Sequence, residues 1–222
     1  MIEDALAFPR NSDGWLRTVV IGAVLSLFSF LVIPGLIVQG YLLRVARDSA
    51  NGQEGAPSFE NWIELLLDGL KAFVVSLVYG IIPLLVFVVV QSVLAGGVAL
   101  SAAGGSTSVS AGFSLLALLI VLVMFPIFLL VGYLTVVAQL RLAVTGSLSA
   151  AFEIGSVVRT GFNADFFVAV LVAVIVGIGL GIVGSLLAVI LVGFLVLFYA
   201  QIVMYYLFGR GYADATTETG SV

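Results

Sequence analysis

Three long stretches of the chain contain apolar and small polar residues but no Asp, Glu, Lys or Arg. They cover residues 18–43, 72–140 and 166–209. A helix rises about 1.5 Å per residue and about 20 apolar residues cross a bilayer, so each stretch can cross at least once. Apolar and polar residues do not alternate as they do in membrane-spanning strands, and lipid-exposed backbone must satisfy its own hydrogen bonds. The pattern therefore predicts transmembrane helices.

Two of these stretches are too long for one crossing, and both contain glycine-rich segments that favour turns. Residues 96–112 read GGVALSAAGGSTSVSAG and residues 177–185 read GIGLGIVGS. Glycine-mediated helix packing is a second interpretation of the latter. We predict an all-α, polytopic transmembrane helical bundle of about five spans. The predicted spans are residues 15–43, 71–100, 113–140, 165–181 and 185–208.

The side of the membrane on which each loop lies follows from lysine and arginine, which short cytoplasmic loops retain. Residues 96–112 and the turn near Gly181 lack both and are predicted outside. Five spans then place the carboxyl terminus inside and the amino terminus outside, although Arg10 and Arg17 oppose the latter. The first span contains Pro34 and is predicted as one kinked helix, because membrane helices tolerate proline. A hairpin at Pro34-Gly35 is the alternative.

A short pattern occurs twice, with every member 92 residues further along in its second copy. We call the two copies the first and second Gly-Tyr elements. The first contains Pro34, Gly40 and Tyr41, and the second contains Pro126, Gly132 and Tyr133. They predict a tandem helix-hairpin repeat within a single membrane domain of residues 1–222, although chance recurrence in so apolar a composition is the alternative. The predicted parts are residues 15–100 as first unit, 113–184 as second unit, 185–209 as closing span and 211–222 as a disordered acidic tail.

Each predicted unit contains a segment with the pattern of an amphipathic helix lying on the membrane surface. In the first unit, Phe59, Trp62, Ile63, Leu66 and Leu70 share one helical face. In the second, the apolar face is shorter and contains Ile154, Val158 and Phe162. Aromatic and basic side chains are common at the headgroup level, so three residues are predicted to be interfacial. They are Trp62, Lys71 and Arg159.

The Gly-Tyr elements and nearby glutamines are the candidate packing or cavity-lining residues. Gly40 and Gly132 would let helices approach closely, which is how helices associate in lipid. Glutamine amides should be buried against neighbouring helices for the same reason. The full set is Pro34, Gln39, Gly40, Tyr41, Pro126, Gly132, Tyr133 and Gln139.

Composition narrows the chemistry. Hydrophobic residues make up 62% of the chain and charged residues 9%, and there is no histidine or cysteine, so the usual ligands of zinc, haem and iron–sulfur clusters are lacking. No carboxylate lies within a predicted span, where ion-coupled transporters generally carry one. We therefore expect no catalytic, cofactor-binding or metal-binding residues and no enzymatic activity. The net charge of −4 disfavours binding to nucleic acid.

Three segments carry a resemblance to a known family: MIEDALAFPRNSDGWLRTVVIGAVLSLFSF, IPGLIVQGYLLRVAR and FENWIELLLDGLKAF. Together they resemble an archaeal integral membrane family, domain of unknown function 4013, which is abundant in halophilic archaea. The acidic bias and the single lysine suit such a source. The resemblance implies a location in the cell membrane and supplies no reaction.

Two functions remain open at this point. The first is a non-catalytic, multi-pass membrane protein with a structural role, whose partners are the lipid bilayer, a second copy or another membrane protein. The second is a small permease-like component for a neutral or lipidic compound, suggested by kinked spans with glutamines nearby. A water-accessible pocket at Gln39, Tyr41, Tyr133 and Gln139 would favour transport, whereas tight helix contacts there would count against it.

Overall fold

The computed structural model describes residues 2–104, 107–188 and 192–219. Within these ranges the chain forms helices joined by short connections, with no strand among them. The prediction of an all-α helical bundle is therefore confirmed. The α-helices are α1 (Ile2–Ala7), α2 (Trp15–Leu27), α3 (Val32–Ala50), α4 (Trp62–Ala103), α5 (Thr107–Thr145), α6 (Leu148–Ala151), α7 (Ile154–Gly161), α8 (Ala164–Leu187) and α9 (Val192–Thr219), and a 3-10 helix (Phe8–Asn11) follows α1.

The chain divides into two compact units. Unit 1 contains residues 1–75 and 136–222, and unit 2 contains residues 76–135, which are consecutive parts of α4 and α5. Unit 2 contains no Asp, Glu, Lys or Arg, so every such residue of the chain belongs to unit 1. Within unit 2 the two helices pack side by side, with the rings of Phe87 and Phe128 5.7 Å apart and edge-on.

Four helices in the described part of the chain are long and apolar enough to cross a membrane. Their qualifying segments are Trp62–Ser101, Ala111–Thr145, Ala164–Leu187 and Val192–Thr217. The first of the five predicted spans, residues 15–43, is not one helix. Its amino-terminal part, α2, has 13 residues, so it is about 20 Å long, well short of the roughly 30 Å hydrocarbon core.

Residues 28–31 separate α2 from α3, so the predicted single kinked span is wrong. The break precedes Pro34, which lies in the first turn of α3, where a missing N–H costs no helical hydrogen bond. Both helices pack on α9. Gly22 of α2 contacts the ring of Phe198, and Leu27, further along α2, lies in the same groove as Val192 at the start of α9. Residue numbers thus rise along α2 as they fall along α9, so the two helices are antiparallel.

Helix α3, which follows the break, runs in the direction opposite to α2. The ring of Tyr41 in α3 lies 5.7 Å from that of Phe198, and the backbone of Ala46 meets Gly209. α3 is thus parallel to α9, and α2 and α3 form an antiparallel hairpin. The alternative of a hairpin is correct, but the turn lies at residues 28–31 rather than at Pro34-Gly35.

Helix α9 lies in the core of unit 1 and packs against α2, α3 and α8. Half of its most apolar stretch is buried. Close contact with α8 depends on glycines: a side chain at Gly184 would meet Leu197 and the carbonyl of Gly193, and one at Gly177 would meet Met204. The turn predicted near Gly181 is therefore wrong, since these glycines lie inside α8, and the packing interpretation is correct.

Three other boundaries differ from prediction. The predicted loop at residues 96–112 is mostly helical, because α4 continues to Ala103 and α5 begins at Thr107. The closing span, predicted at residues 185–209, is helix α9, which begins at Val192. The predicted disordered tail instead continues α9 to Thr219, with Tyr212 and Ala215 buried, while residues 220–222 lie outside the described part.

The two predicted surface helices have different outcomes. The first is not separate: Trp62 begins α4, which continues as one helix of 42 residues. No proline interrupts its early turns, so the amphipathic segment extends the apolar helix. The second is the separate, eight-residue α7. Its predicted apolar face is exposed, whereas Val157 and Thr160 on the other side are buried.

Candidate functional site

A cluster of uncharged polar side chains joins α3, α5 and α9 inside unit 1. The side-chain amide of Gln39 donates to Gln139 Oε1 at 3.2 Å and to the hydroxyl oxygen of Tyr205 at 2.9 Å. Gln139 is 8% exposed. The two glutamines selected from the sequence therefore meet directly and bond to each other. Buried amides that are paired in this way hold helices together.

Tyr205 is the member of this cluster that sequence analysis missed. It lies in the middle of α9, beside Tyr206, in a mostly apolar segment. A phenol ring also suits ordinary packing, so its sequence position alone gave no reason to pair it with Gln39. The group contains two amides and a phenol, all neutral at ordinary pH. Such a cluster fixes helix positions and offers no activated nucleophile.

The first Gly-Tyr element lies where α3 crosses α4. A side chain at Gly40 would collide with the carbonyl of Leu65, and one at Gly69 with the carbonyl of Leu36. The two glycines therefore allow backbone-to-backbone contact, as predicted for Gly40. Tyr41 is fully buried. Its hydroxyl donates to the carbonyl of Pro57 at 3.0 Å, and its ring stacks on Phe59 at 4.1 Å.

The second Gly-Tyr element belongs to unit 2 and has different surroundings. Pro126 lies inside α5 and is exposed. A side chain at Gly132 would meet no atom within 4 Å. Tyr133 is partly exposed. The close helix packing predicted for Gly132 is therefore absent from the part of the chain that the structure describes.

Each half of the chain has an arginine that fixes the segment following its helix. Arg44 donates to the carbonyl of Glu60 at 3.0 Å and to the Glu64 carboxylate at 3.1 Å. Arg141 donates to the carbonyl of Ala150 at 3.0 Å and to the Glu153 carboxylate at 2.6 Å. A basic residue soon after each Gly-Tyr element is visible in the sequence, four residues after Gly40 and nine after Gly132, but the contacts that these arginines make were not predicted.

The three predicted interfacial residues all belong to unit 1. Trp62 is 44% exposed and stacks on Phe59. Lys71 forms an ion pair with Asp68 at 3.0 Å. Arg159 is exposed on α7. Their role as membrane anchors stays a prediction.

The amino-terminal segment packs against the loop that follows α3. Asn11 donates to the carbonyl of Glu54 at 3.1 Å, and the backbone N–H of Ala56 donates to Phe8 at 3.2 Å. A polar cavity of about 340 Å³ lies here, and its lining includes Arg210 near the end of α9. The amino-terminal segment, the loop after α3 and the second half of α9 therefore meet at one end of unit 1.

One carboxyl group near the carboxyl-terminal end of α3 has a shifted pKa. Burial raises the pKa of Asp48, while Arg47 and Arg44 act in the opposite direction. Arg47 Nε lies 3.7 Å from the Asp48 carboxylate. Among the residues that the structure describes, no group of three or more His, Cys, Asp and Glu side chains could hold a metal ion.

Residues 24–192 match the profile of a protein family of unknown function, DUF4013. The chain belongs to this family. No curated protein and no solved structure matches the chain.

The region shared with DUF4013 contains both Gly-Tyr elements, both arginines that fix the following segments, and both glutamines of the amide cluster. Tyr205 and Arg210 lie beyond its end. The DUF4013 match therefore includes most of unit 1 and all of unit 2, but little of α9, on which α2, α3 and α8 pack.

Proposed function

We propose that the protein is a multi-pass protein of the cell membrane with a non-catalytic role in contacting lipid or a partner membrane protein. The observation that carries this proposal is the surface of unit 2. The most apolar stretch of α5 has a mean hydropathy of 3.1 and no buried residue. Exposed apolar patches of this kind mark membrane or protein contacts, because water does not solvate them favourably.

The charge distribution supports four crossings, made by α4, α5, α8 and α9. Four crossings place both ends of the chain on one side. The α2–α3 hairpin returns to the side from which it starts, which brings Arg10 and Arg17 to the same side as Arg44. All lysines and arginines then lie inside, as the positive-inside rule expects. In this arrangement the amino terminus lies inside, whereas five spans would place it outside. Arg10 and Arg17, which opposed the outside position, then lie on the side that the rule expects.

The amide cluster supports a structural role over transport. Gln39 and Gln139 bond to one another rather than facing a shared space, and Tyr41 is packed between aromatic rings. A permease would need these side chains to separate and to rebond to a substrate. The contacts of Gln39 and Tyr41 are therefore of the tight kind that counts against the permease-like alternative.

Single-cysteine labelling tests the proposed arrangement, and the chain is suited to it because it has no cysteine. Ser12→Cys and Gln53→Cys report on the end of unit 1 where the amino-terminal segment meets the loop after α3, which we call the charged end. Gly104→Cys reports on the end of α4. In intact cells, a membrane-impermeant maleimide should label only Gly104→Cys. After permeabilisation it should label all three. Labelling of Ser12→Cys together with Gly104→Cys, but not Gln53→Cys, would show that residues 15–43 cross as one span.

Photo-crosslinking tests the proposed role. A benzophenone side chain replaces Leu122, which is 68% exposed on α5. It should form adducts with phospholipid or with an integral membrane protein. The matched control replaces Asp13, which is exposed at the charged end of unit 1, and should form neither. Adducts of the Leu122 probe with soluble proteins alone would contradict the proposal.

A further inference from the structure

Helix α7 has two unlike faces, and the apolar one is exposed. Its exposed apolar residues are Ile154, Val158 and Phe162, the last of which directly follows the helix, with exposed fractions between 36% and 70%. Because residues four positions apart align on a helix, these side chains form one strip, which we call the α7 strip. Val157 and Thr160 on the other side are buried. Unit 1 therefore packs against the Val157 side of α7 and leaves the apolar strip exposed.

The position of α7 in unit 1 matches one boundary of a hydrocarbon core. At the ends of α8 and α9 that the four-crossing arrangement places outside, Gly184 lies against Gly193, and further along, Ala169 lies against Gly211. Gly193 and Gly211 are about 27 Å apart along α9, and the core is about 30 Å thick. Helix α8 begins at Ala164, just past the Ala169 contact, and α7 ends three residues before it. Helix α7 therefore lies about one core thickness from the outer ends of α8 and α9.

A short, capped connection holds α7 next to the start of α8. The side-chain oxygen of Asn163 accepts hydrogen bonds from the backbone N–H groups of Asp165 at 2.8 Å and Phe166 at 3.3 Å. Such a cap satisfies N–H groups that have no partner within the helix and fixes where α8 begins. The backbone N–H of Asn163 itself donates to the carbonyl of Thr160 in α7 at 3.1 Å. The last turn of α7 is thus bonded to the residue that caps α8.

Helix α8 has an exposed apolar face of its own. Its members recur at helical spacing and are each at least 40% exposed: Phe167, Leu171, Val174 and Ile178. The helix is one of those that are long and apolar enough to cross a membrane, so the membrane location proposed above places this face in lipid. The α7 strip ends five residues before Phe167. The exposed apolar surface therefore continues along the chain from α7 into a crossing helix.

We propose that α7 lies at the inner surface of the membrane, with the α7 strip inserted between the headgroups and the acyl chains of the inner leaflet. This inference rests on the membrane location proposed above, and it adds a leaflet, a depth and a lipid contact outside the crossing helices. Interfacial helices bury their apolar face by about 5–10 Å and carry basic residues on the polar side. Arg159 is exposed beside Val158, where its stem can lie along the strip while its guanidinium reaches the headgroups. A crossing helix would instead be apolar on all sides.

Depth-dependent fluorescence quenching tests the inference. Phe162→Trp places a reporter in the α7 strip, in a background of Trp15→Phe and Trp62→Phe that removes both native tryptophans. The purified protein is reconstituted into phosphatidylcholine vesicles whose acyl chains carry bromine either near the headgroup end or near the methyl end. Bromine near the headgroup end should quench the emission of Phe162→Trp more strongly, because the strip lies at the boundary of the core.

Ile178→Trp in the same background is the matched control. Ile178 is 59% exposed on α8, and it lies about 21 Å along the helix from Ala164, near the middle of the core. It should be quenched more strongly by bromine near the methyl end. For Phe162→Trp, absence of quenching, or equal or stronger quenching by bromine near the methyl end, would overturn the position of α7 and leave the membrane location standing. Absence of quenching in both variants would contradict the membrane location itself.

Discussion

The two Gly-Tyr elements have the same residues at the same spacing, but their surroundings differ. In the first, Gly40 lies against the backbone of α4 and Tyr41 is fully buried among aromatic rings. In the second, Gly132 faces open space and Tyr133 is partly exposed. A glycine permits close approach but does not provide the helix that approaches. The element alone therefore does not determine whether its glycine is packed.

Replacing the two glycines by leucine should give the largest difference between the elements. Gly40→Leu forces a side chain into the carbonyl of Leu65, so we expect a loss of about 3 kcal/mol or more, at the upper end of overpacking effects. Gly132→Leu should change stability by less than about 0.5 kcal/mol, as at other open positions. Thermal unfolding in detergent measures both. Similar losses in the two variants would show that Gly132 is packed as tightly as Gly40.

Replacing the arginine that follows each Gly-Tyr element should instead lower stability by a similar amount in the two halves. Arg44→Ala and Arg141→Ala each remove one bond to a carbonyl and one to a carboxylate. The carboxylates are half-exposed, so each variant should lose about 1.5 kcal/mol, at the lower end for charge-assisted bonds. Denaturation in detergent at low and high salt measures this. A large loss in one variant alone would remove the parallel between the two halves.

In the amide cluster, side chains of α3, α5 and α9 form hydrogen bonds with one another. A double-mutant cycle with Gln39→Leu and Gln139→Leu should give a coupling free energy of about 0.6 kcal/mol, the average for hydrogen bonds between membrane helices. The cycle is measured by unfolding in detergent. Gln39→Leu combined with Tyr205→Phe provides a second cycle on the other bond. Coupling near zero in both cycles would mean that the cluster does not join these helices.

Asp48, which lies seven residues after Tyr41, should give the smallest effect, and its sign depends on pH. Because burial raises its pKa above 3.8, the protonated form is favoured in the folded protein. Its contribution to stability is present below that pH and is lost as pH rises through the raised pKa. Asp48→Asn should therefore gain stability relative to the parent protein as pH increases. A relative gain with falling pH would show that its pairing with Arg47 outweighs burial.

Much of the architecture could be predicted from the sequence, because the absence of charge over long stretches leaves helices in lipid as the stable solution. The close packing of Gly40 and the burial of Gln139 also followed from general rules for membrane helices. The break at residues 28–31 could not be predicted, since FSFL contains neither glycine nor proline. It arises from tertiary packing, because Gly22 and Tyr41, on opposite sides of the break, both contact Phe198.

The open surroundings of Gly132 could not be predicted from the sequence either, for a related reason. Whether a glycine is packed depends on which helix passes nearby, and local sequence does not encode that. The turn predicted near Gly181 was wrong because glycines serve both turns and close packing. Here the partners lie on α9: Leu197 is 13 residues after Gly184 and Met204 is 27 residues after Gly177. Their contact with α8 is a property of the fold.

Spin labels on unit 2 test the central claim, that hydrocarbon covers the apolar surface of α4 and α5. Leu85→Cys on α4 and Leu122→Cys on α5 carry the labels, with Asp13→Cys as a control at the charged end of unit 1. In reconstituted membranes, power saturation should show high access to oxygen and low access to a water-soluble nickel complex at Leu85 and Leu122, with the reverse at Asp13. High access to the nickel complex at Leu85 and Leu122 would contradict the claim.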